Sequence, residues 1–411
     1  MTTYADQGTP RPRRPVAGPP PPPPRRPPPG RGRPPGPPKP PGSPKPPKPP
    51  SVVPKWARLC TIIGAVVMVV SGSVVVVPKA ISAWFTKDIN FEDIIPVEAG
   101  APPKSIDGPI NFLLLGMDER DGAEAEGAIR ADSLILVHIP ATHDKVYMVS
   151  LPRDAEVEVP DFPETGFTGF TTKINAAFAA GAQKNGAPDS SPAGRARGAK
   201  LTIMTINQLV PGGITFNGAA ILNYDGFLSI LKVLGGVDMC VDEEVWSIHY
   251  DRNGNKARYG DLDDGVGKYY PVGCYHMDDW EALDFARQRH LADGDYGRQR
   301  HQQQLIKAII AKMTTTGVIT DLGKIQELQH AAGDLLTLDL GGVAVEEWLF
   351  TLKSLRPDDL VMIKTNAGQF NSAGDGNEQL SEDSLTLLRH VQEDTVMDFL
   401  TTHPDWIAAD K

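Results

Sequence analysis

The chain's arginines are spaced for chemistry. Ala286-Arg287-Gln288-Arg289 ends one predicted helix, and Asp295-Tyr296-Gly297-Arg298-Gln299-Arg300 opens the next, with Gln302 just inside it. A guanidinium presents a planar fork of donors that matches phosphate oxygens, and a helix N-terminus adds backbone N–H groups and a favourable dipole. Together they describe a site for a phosphorylated anion. Arg287 and Arg289 stand two residues apart, so they diverge on a regular helix and face one pocket only where that helix ends. A solvated helix face is the alternative reading of the same run.

Carboxylates supply the counterpart. Asp118 directly follows a short apolar run in Leu115-Gly116-Met117-Asp118, and Asp132 directly precedes the next run, in Arg130-Ala131-Asp132-Ser133. At the ends of adjacent strands two such groups can converge on one hard cation. Mg²⁺ is commonly held by one or two carboxylates together with substrate phosphates and water. Lone aspartates that cap turns are the structural alternative. Pro152-Arg153-Asp154 adds a further arginine just past a strand, or else a plain Arg153–Asp154 ion pair, and Lys173-Ile174-Asn175 puts a lysine at a helix start. Nothing here resembles a nucleophile system: there is no GxSxG motif, and the nine histidines show no HExxH or zinc spacing.

The elements that must position these residues can be read from periodicity. Short continuous apolar runs at 110–116, 133–139 and 146–151 have the form of strands buried on both faces. Helical spacing follows at 173–183, 199–209, 224–234, 278–289, 302–313 and 319–335, and later at 343–352 and 382–392. Further β runs lie at 219–223, 237–241 and 360–363. Strands alternating with helices predict fold class α/β: a layered α-β-α ectodomain with a mixed central sheet, one domain over 109–411.

Composition sets the topology. Residues 1–58 carry 12 Lys and Arg against the single acid Asp6, which leaves the remainder with a formal charge of −21. The first 55 residues are mostly proline with interspersed Arg and Lys, a composition that builds no core and predicts a disordered or polyproline-like cytoplasmic tail. Its charge suits an anionic membrane face; with no RNA-binding motif in the chain, nucleic acid is not an expected partner. Residues 59–77 carry no charge and, as a helix, nearly span a ~30 Å hydrocarbon core. The basic flank puts the N-terminus inside, so the expected location is the cell membrane: a single-pass protein with its large domain extracytoplasmic, joined by a tether over 78–108. A cleaved signal peptide is the competing reading. Of three cysteines Cys60 falls in the span, so Cys240 and Cys274 are the pair available for one disulfide in an oxidising compartment. The polar stretch 251–268 between them reads as an exposed loop.

In their order along the chain, NFLLLGMD, RADSLILVHI, SLPRD, KINAAF, YDGFLSILKVLGGVD, ALDFARQR and DGDYGRQRHQQQ resemble the LytR-CpsA-Psr family of cell-wall glycopolymer transferases. The paired cysteines after LGGVD and the Pro-rich leader are similar to its actinobacterial members. The resemblance implies a polyprenyl-pyrophosphate-linked glycopolymer as substrate, its tail in a hydrophobic tunnel, and peptidoglycan as acceptor. It implies Asp118 and Asp132 as ligands of Mg²⁺, with Mn²⁺ as a substitute. Arg130, Arg153, Arg287, Arg289 and Arg298, with Lys173 and Gln302, become the pyrophosphate-binding set, and Asp295 would orient Arg298. The catalytic group is then Asp118, Asp132, Arg130, Arg153, Arg287 and Arg289. Arg300 has no counterpart in the motif. Hydrolysis of the same lipid pyrophosphate, or a non-catalytic regulatory role in the envelope, are the alternatives.

Overall fold

Alternation along the central strands sorts their side chains between two cores. In the computed structural model, which describes residues 90–95, 106–117, 129–257, 262, 266–289, 291–318, 321–352 and 354–408, Leu113, Leu115 and Met117 join one apolar cluster while Ile110, Phe112 and Leu114 join another. The next strands repeat the pattern, with Leu134 and Leu136 against Ile135 and Ile139, and with Val149 and Leu151 against Val146 and Met148. Both faces are therefore covered, as expected from unbroken apolar runs. Each Leu or Ile buried in this way contributes roughly 1.5–3 kcal/mol.

The central sheet has seven strands. In chain order they are β1 (Asn90–Phe91), β2 (Ile110–Met117), β3 (Ala131–Ile139), β4 (Val146–Leu151), β5 (Gly218–Asn223), β6 (Leu336–Asp339) and β7 (Leu360–Lys364), arranged spatially β1-β6-β5-β2-β3-β4-β7. β2, β3 and β4 run antiparallel in succession, whereas β5 lies parallel to β2 and β7 parallel to β4, so the sheet is mixed. Helices Ile174–Gly181, Pro192–Gln208 and Glu382–Gln392 cover one face. The other carries helices Asp295–Thr315 and Val345–Leu352, and Gln303 of the first reaches across to Met148 O (2.9 Å) and Ser150 Oγ (2.8 Å) on β4.

A smaller core sits beside this layer. Helix Tyr224–Leu234 is capped by Asn223, whose side chain accepts from Gly226 N at 2.9 Å, and ends at the left-handed Gly235. Gly236 then lets strand Val237–Val241 run close to its partner: a Cβ there would stand 2.3 Å from Met277 O. Val237–Val241 pairs with Gly273–Met277 and puts Cys240 directly opposite Cys274, which are disulfide-bonded.

Several expectations are corrected in detail. The helix expected over 278–289 stops at Phe285, and the one expected from 302 begins at Asp295. Only the ends of the loop expected over 251–268 are strand, where Val245–Asp251 pairs with Gly267–Tyr270. Hairpin Glu156–Val159/Phe170–Lys173 and strand β6, each strand only four residues long, are additions to the expected elements. Within the span assigned to the tether, β1 pairs with β6, and Ile94 N and Ile95 N donate to Asp339 Oδ2 at 2.8 and 2.6 Å. The tail 1–55, the apolar run 59–77 and Asp118 lie outside the described residues; among the described residues no helix is long and apolar enough to cross a membrane.

Candidate functional site

An irregularity in the sheet creates the site. Gly116 of β2 pairs with Ser133 of β3, but the next pair is Met117 with Ala131, so Asp132 is the extra residue of a bulge. A bulge re-aims a side chain and takes its backbone out of the ladder. Both effects are used here. The Asp132 carboxylate accepts from Arg153 Nη1 at 3.0 Å and lies 3.6 Å from Arg289 Nη2, while its carbonyl accepts from Arg298 Nη2 at 3.2 Å.

The helix N-terminus supplies the deepest cation. Arg298, one turn into helix Asp295–Thr315, is only 3% exposed and pairs with Asp295 Oδ1 at 2.7 Å. Burial draws its pKa down and the Asp295 carboxylate resists, yet a guanidinium keeps its proton under any ordinary condition. Its one side-chain hydrogen bond and its ion pair both use Nη2, and Nε has no hydrogen-bond partner among the described residues. Arg153 is surrounded by three carboxylates, Asp132, Asp154 (3.6 Å) and Asp295 (3.8 Å). Burial opposes its charge, but those carboxylates outweigh burial and hold its pKa above the usual value.

Because helix Asp279–Phe285 ends early, Arg287 and Arg289 leave it in the following turn and line the same cleft. The Arg287 guanidinium sits 4.4 Å from the ring centre of Tyr224, a cation–π contact that fixes its plane. Tyr224 in turn shares a 2.9 Å hydrogen bond with Tyr250, and burial with that bond pushes its phenol far up, so it stays neutral. The cleft encloses about 690 Å³, counting its open mouth. Its lining combines polar Asp132, Arg287, Arg289, Arg298, Gln302 and His249 with apolar Met117, Phe227, Leu283, Leu305 and Ile306. Ile306 also packs against the second core, as do the partly buried Phe112, Leu114, Val137 and Ile310.

The structure thus brings together Asp132, Arg153, Arg287, Arg289, Arg298 and Gln302. Lys173 stands one shell away, its Nζ 2.9 Å from both Asp154 Oδ1 and Gly376 O. Arg130 is exposed and is not among the cleft-lining residues. Arg300 points to the other side of its helix, to Asp242 (2.7 Å), Asp293 and Glu243. Among the described residues no three His, Cys, Asp or Glu side chains are grouped to hold a metal. Tyr224 and His249 were missed. Neither carries a local signal, since both reach the cleft only through the packing of the smaller core.

Known proteins agree with this architecture. A crystal structure of protein gbs0355 from Streptococcus agalactiae superposes with a TM-score of 0.53 at 20% identity, over 71% of this chain and 91% of that one, a likeness of fold. The polyisoprenyl-teichoic acid–peptidoglycan teichoic acid transferase TagV of Bacillus subtilis is 26% identical over 298 residues, 72% of this chain and 66% of the relative. Biofilm regulatory protein A of Streptococcus mutans is 27% identical over 228 residues, 53% of this chain and 47% of the relative. The matches therefore span two thirds or less of these curated relatives. The family model described as LytR_cpsA_psr matches residues 86–386, and the chain belongs to that family.

Proposed function

We propose that this protein transfers a glycopolymer from a polyprenyl-pyrophosphate carrier to peptidoglycan, forming a phosphodiester and releasing polyprenyl phosphate. The carrying observation is the convergence of Arg287, Arg289 and Arg298 on one cleft that Phe227, Leu305 and Ile306 also line. A lipid pyrophosphate needs both. The half-buried seam through Ile306, Leu114 and Ile310 offers the isoprenoid chain an apolar path without opening a packed core. The name of the Bacillus subtilis relative supports the same substrate pair.

Preorganised guanidinium groups stabilise the charge that grows on the phosphate oxygens as the bridging bond breaks, and no covalent enzyme intermediate is required. Asp132, with Asp118, would hold Mg²⁺ or Mn²⁺, which when bound neutralises phosphate charge. The cleft-facing position of Asp132 suits that role, since Mg²⁺ takes few protein ligands beside phosphates. The disulfide fits an oxidising, extracytoplasmic location, and the apolar run 59–77 would anchor the chain where its lipid substrate lies. The test is product analysis with lipid-linked glycopolymer and peptidoglycan. Glycan linked to peptidoglycan is expected, and Arg287→Ala should lower its formation about 10²-fold or more. Free glycan phosphate as the only product, or full activity in Arg287→Ala, would refute the reading.

A further inference from the structure

The arginines stabilise charge but cannot accept a proton, and an attacking hydroxyl must lose one. Strand Val245–Asp251 places a group that can. His249 lines the cleft together with Arg287 and Arg298. Its Nδ1 is 3.0 Å from Oδ1 of Asp284, a carboxylate with no exposed surface. Asp284 also accepts from Tyr270 Oη at 2.8 Å and from Gln288 Nε2 at 2.8 Å. A carboxylate buried this deeply is tolerated because each oxygen is satisfied by donors.

That arrangement sets the tautomer. With the carboxylate oxygens acting as acceptors, Nδ1 of His249 carries the proton and the lone pair lies on Nε2. Among the described residues Nε2 has no hydrogen-bond partner. Gln288 locks the pair from behind: its Oε1 accepts from Ile248 N at 3.1 Å, which ties the strand to the end of helix Asp279–Phe285. Arg287, three residues beyond Asp284, leaves the same turn, so the base and the pyrophosphate clamp share one rigid support.

We propose that His249 is the general base of the transfer and that Asp284 is its positioning residue. The inference rests on the function proposed above. The acceptor oxygen bonds to the glycan-side phosphorus, and the bond from that phosphorus to the bridging oxygen breaks. Polyprenyl phosphate leaves with the electron pair. The hydroxyl proton passes to His249 Nε2 and from there to solvent, with Asp284 stabilising the transient imidazolium.

The test uses the full-length chain in detergent, with lipid-linked glycopolymer, peptidoglycan and, as a binding probe, a polyprenyl pyrophosphate of four isoprene units. His249→Ala should bind the probe within about twofold of the unchanged protein and keep its KM, while kcat falls about 10²–10⁴-fold, the range of a lost general base. Added imidazole should restore part of the loss. His249→Asn keeps a donor toward Asp284 but offers no basic nitrogen, so it should be as slow as His249→Ala; if the pair merely fastened strand to helix, it would stay active. Asp284→Asn should lower kcat with KM unchanged. Full activity in His249→Asn, or loss of probe binding together with activity and no imidazole rescue, would overturn the proposal. An unchanged protein that binds the probe but transfers nothing would instead refute the transferase reading itself.

Discussion

Replacing Arg298 separates its structural from its chemical role. Arg298→Met removes an ion pair of 2.7 Å with Asp295 and a hydrogen bond of 3.2 Å to the Asp132 carbonyl. Such a bond to a charged group contributes about 1.5–3 kcal/mol, and breaking a wholly buried pair costs about 3–5 kcal/mol. Asp295 is 26% exposed and keeps Gln299 Nε2 at 3.1 Å, so water and that amide compensate part of the loss. The expected penalty is about 2–3 kcal/mol, or a fall in Tm of roughly 5–10 °C at about 2–4 °C per kcal/mol. Transfer should fall further, about 10²–10³-fold, because a preorganised donor to the pyrophosphate is gone. Arg298→Lys keeps the charge and loses the fork; it should melt within a few degrees of the unchanged protein yet remain at least about tenfold slow. Calorimetry and turnover with lipid-linked glycopolymer measure the two effects separately. If Arg298→Met melted normally and turned over within twofold, the buried guanidinium would be neither a brace nor a phosphate ligand.

Two further outcomes follow from the smaller core. Cys240 and Cys274 close a loop with a sequence separation of 34, so replacing both by serine should destabilise the protein by about 3–4 kcal/mol, seen as a lower Tm and earlier proteolysis between residues 245 and 270. Burial pushes the Asp242 carboxyl up, but the hydrogen bond and charge of His301 at 3.0 Å and the Arg300 guanidinium at 2.7 Å prevail and hold it far below its ordinary 3.8. A depressed folded-state pKa contributes stability that is present above 3.8 and lost as pH falls through the lower value. Asp242→Asn should therefore flatten the acid side of a plot of urea midpoint against pH below about pH 4, and an unchanged slope would refute that role.

Much of the scaffold is legible without coordinates because its periodicity is strong. Val146–Leu151, Tyr224–Leu234, Val237–Val241 and Glu382–Gln392 fall where apolar spacing puts them. Hairpin Glu156–Val159/Phe170–Lys173 and β6 are short, and the pairing of β6 is decided by distant partners: it lies between β1 and β5, which are more than a hundred residues away in sequence. The early end of helix Asp279–Phe285 is also non-local, since Gln288 leaves the helical path to bond Ile248 on another strand.

The sequence by itself determined the family, most of the central strands, the disulfide partners and a set of candidate arginines, because residue type and spacing carry those properties locally. Only the tertiary structure decided which of them meet. It made Asp132 a bulge residue shared by three arginines, and sent Arg300 away from Arg298 although they are two residues apart. It stacked Arg287 on Tyr224 and brought His249 to the cleft on a buried aspartate. The physical reason is that a side chain's chemistry is intrinsic, whereas its partner, burial and direction depend on register and packing between segments far apart in the chain.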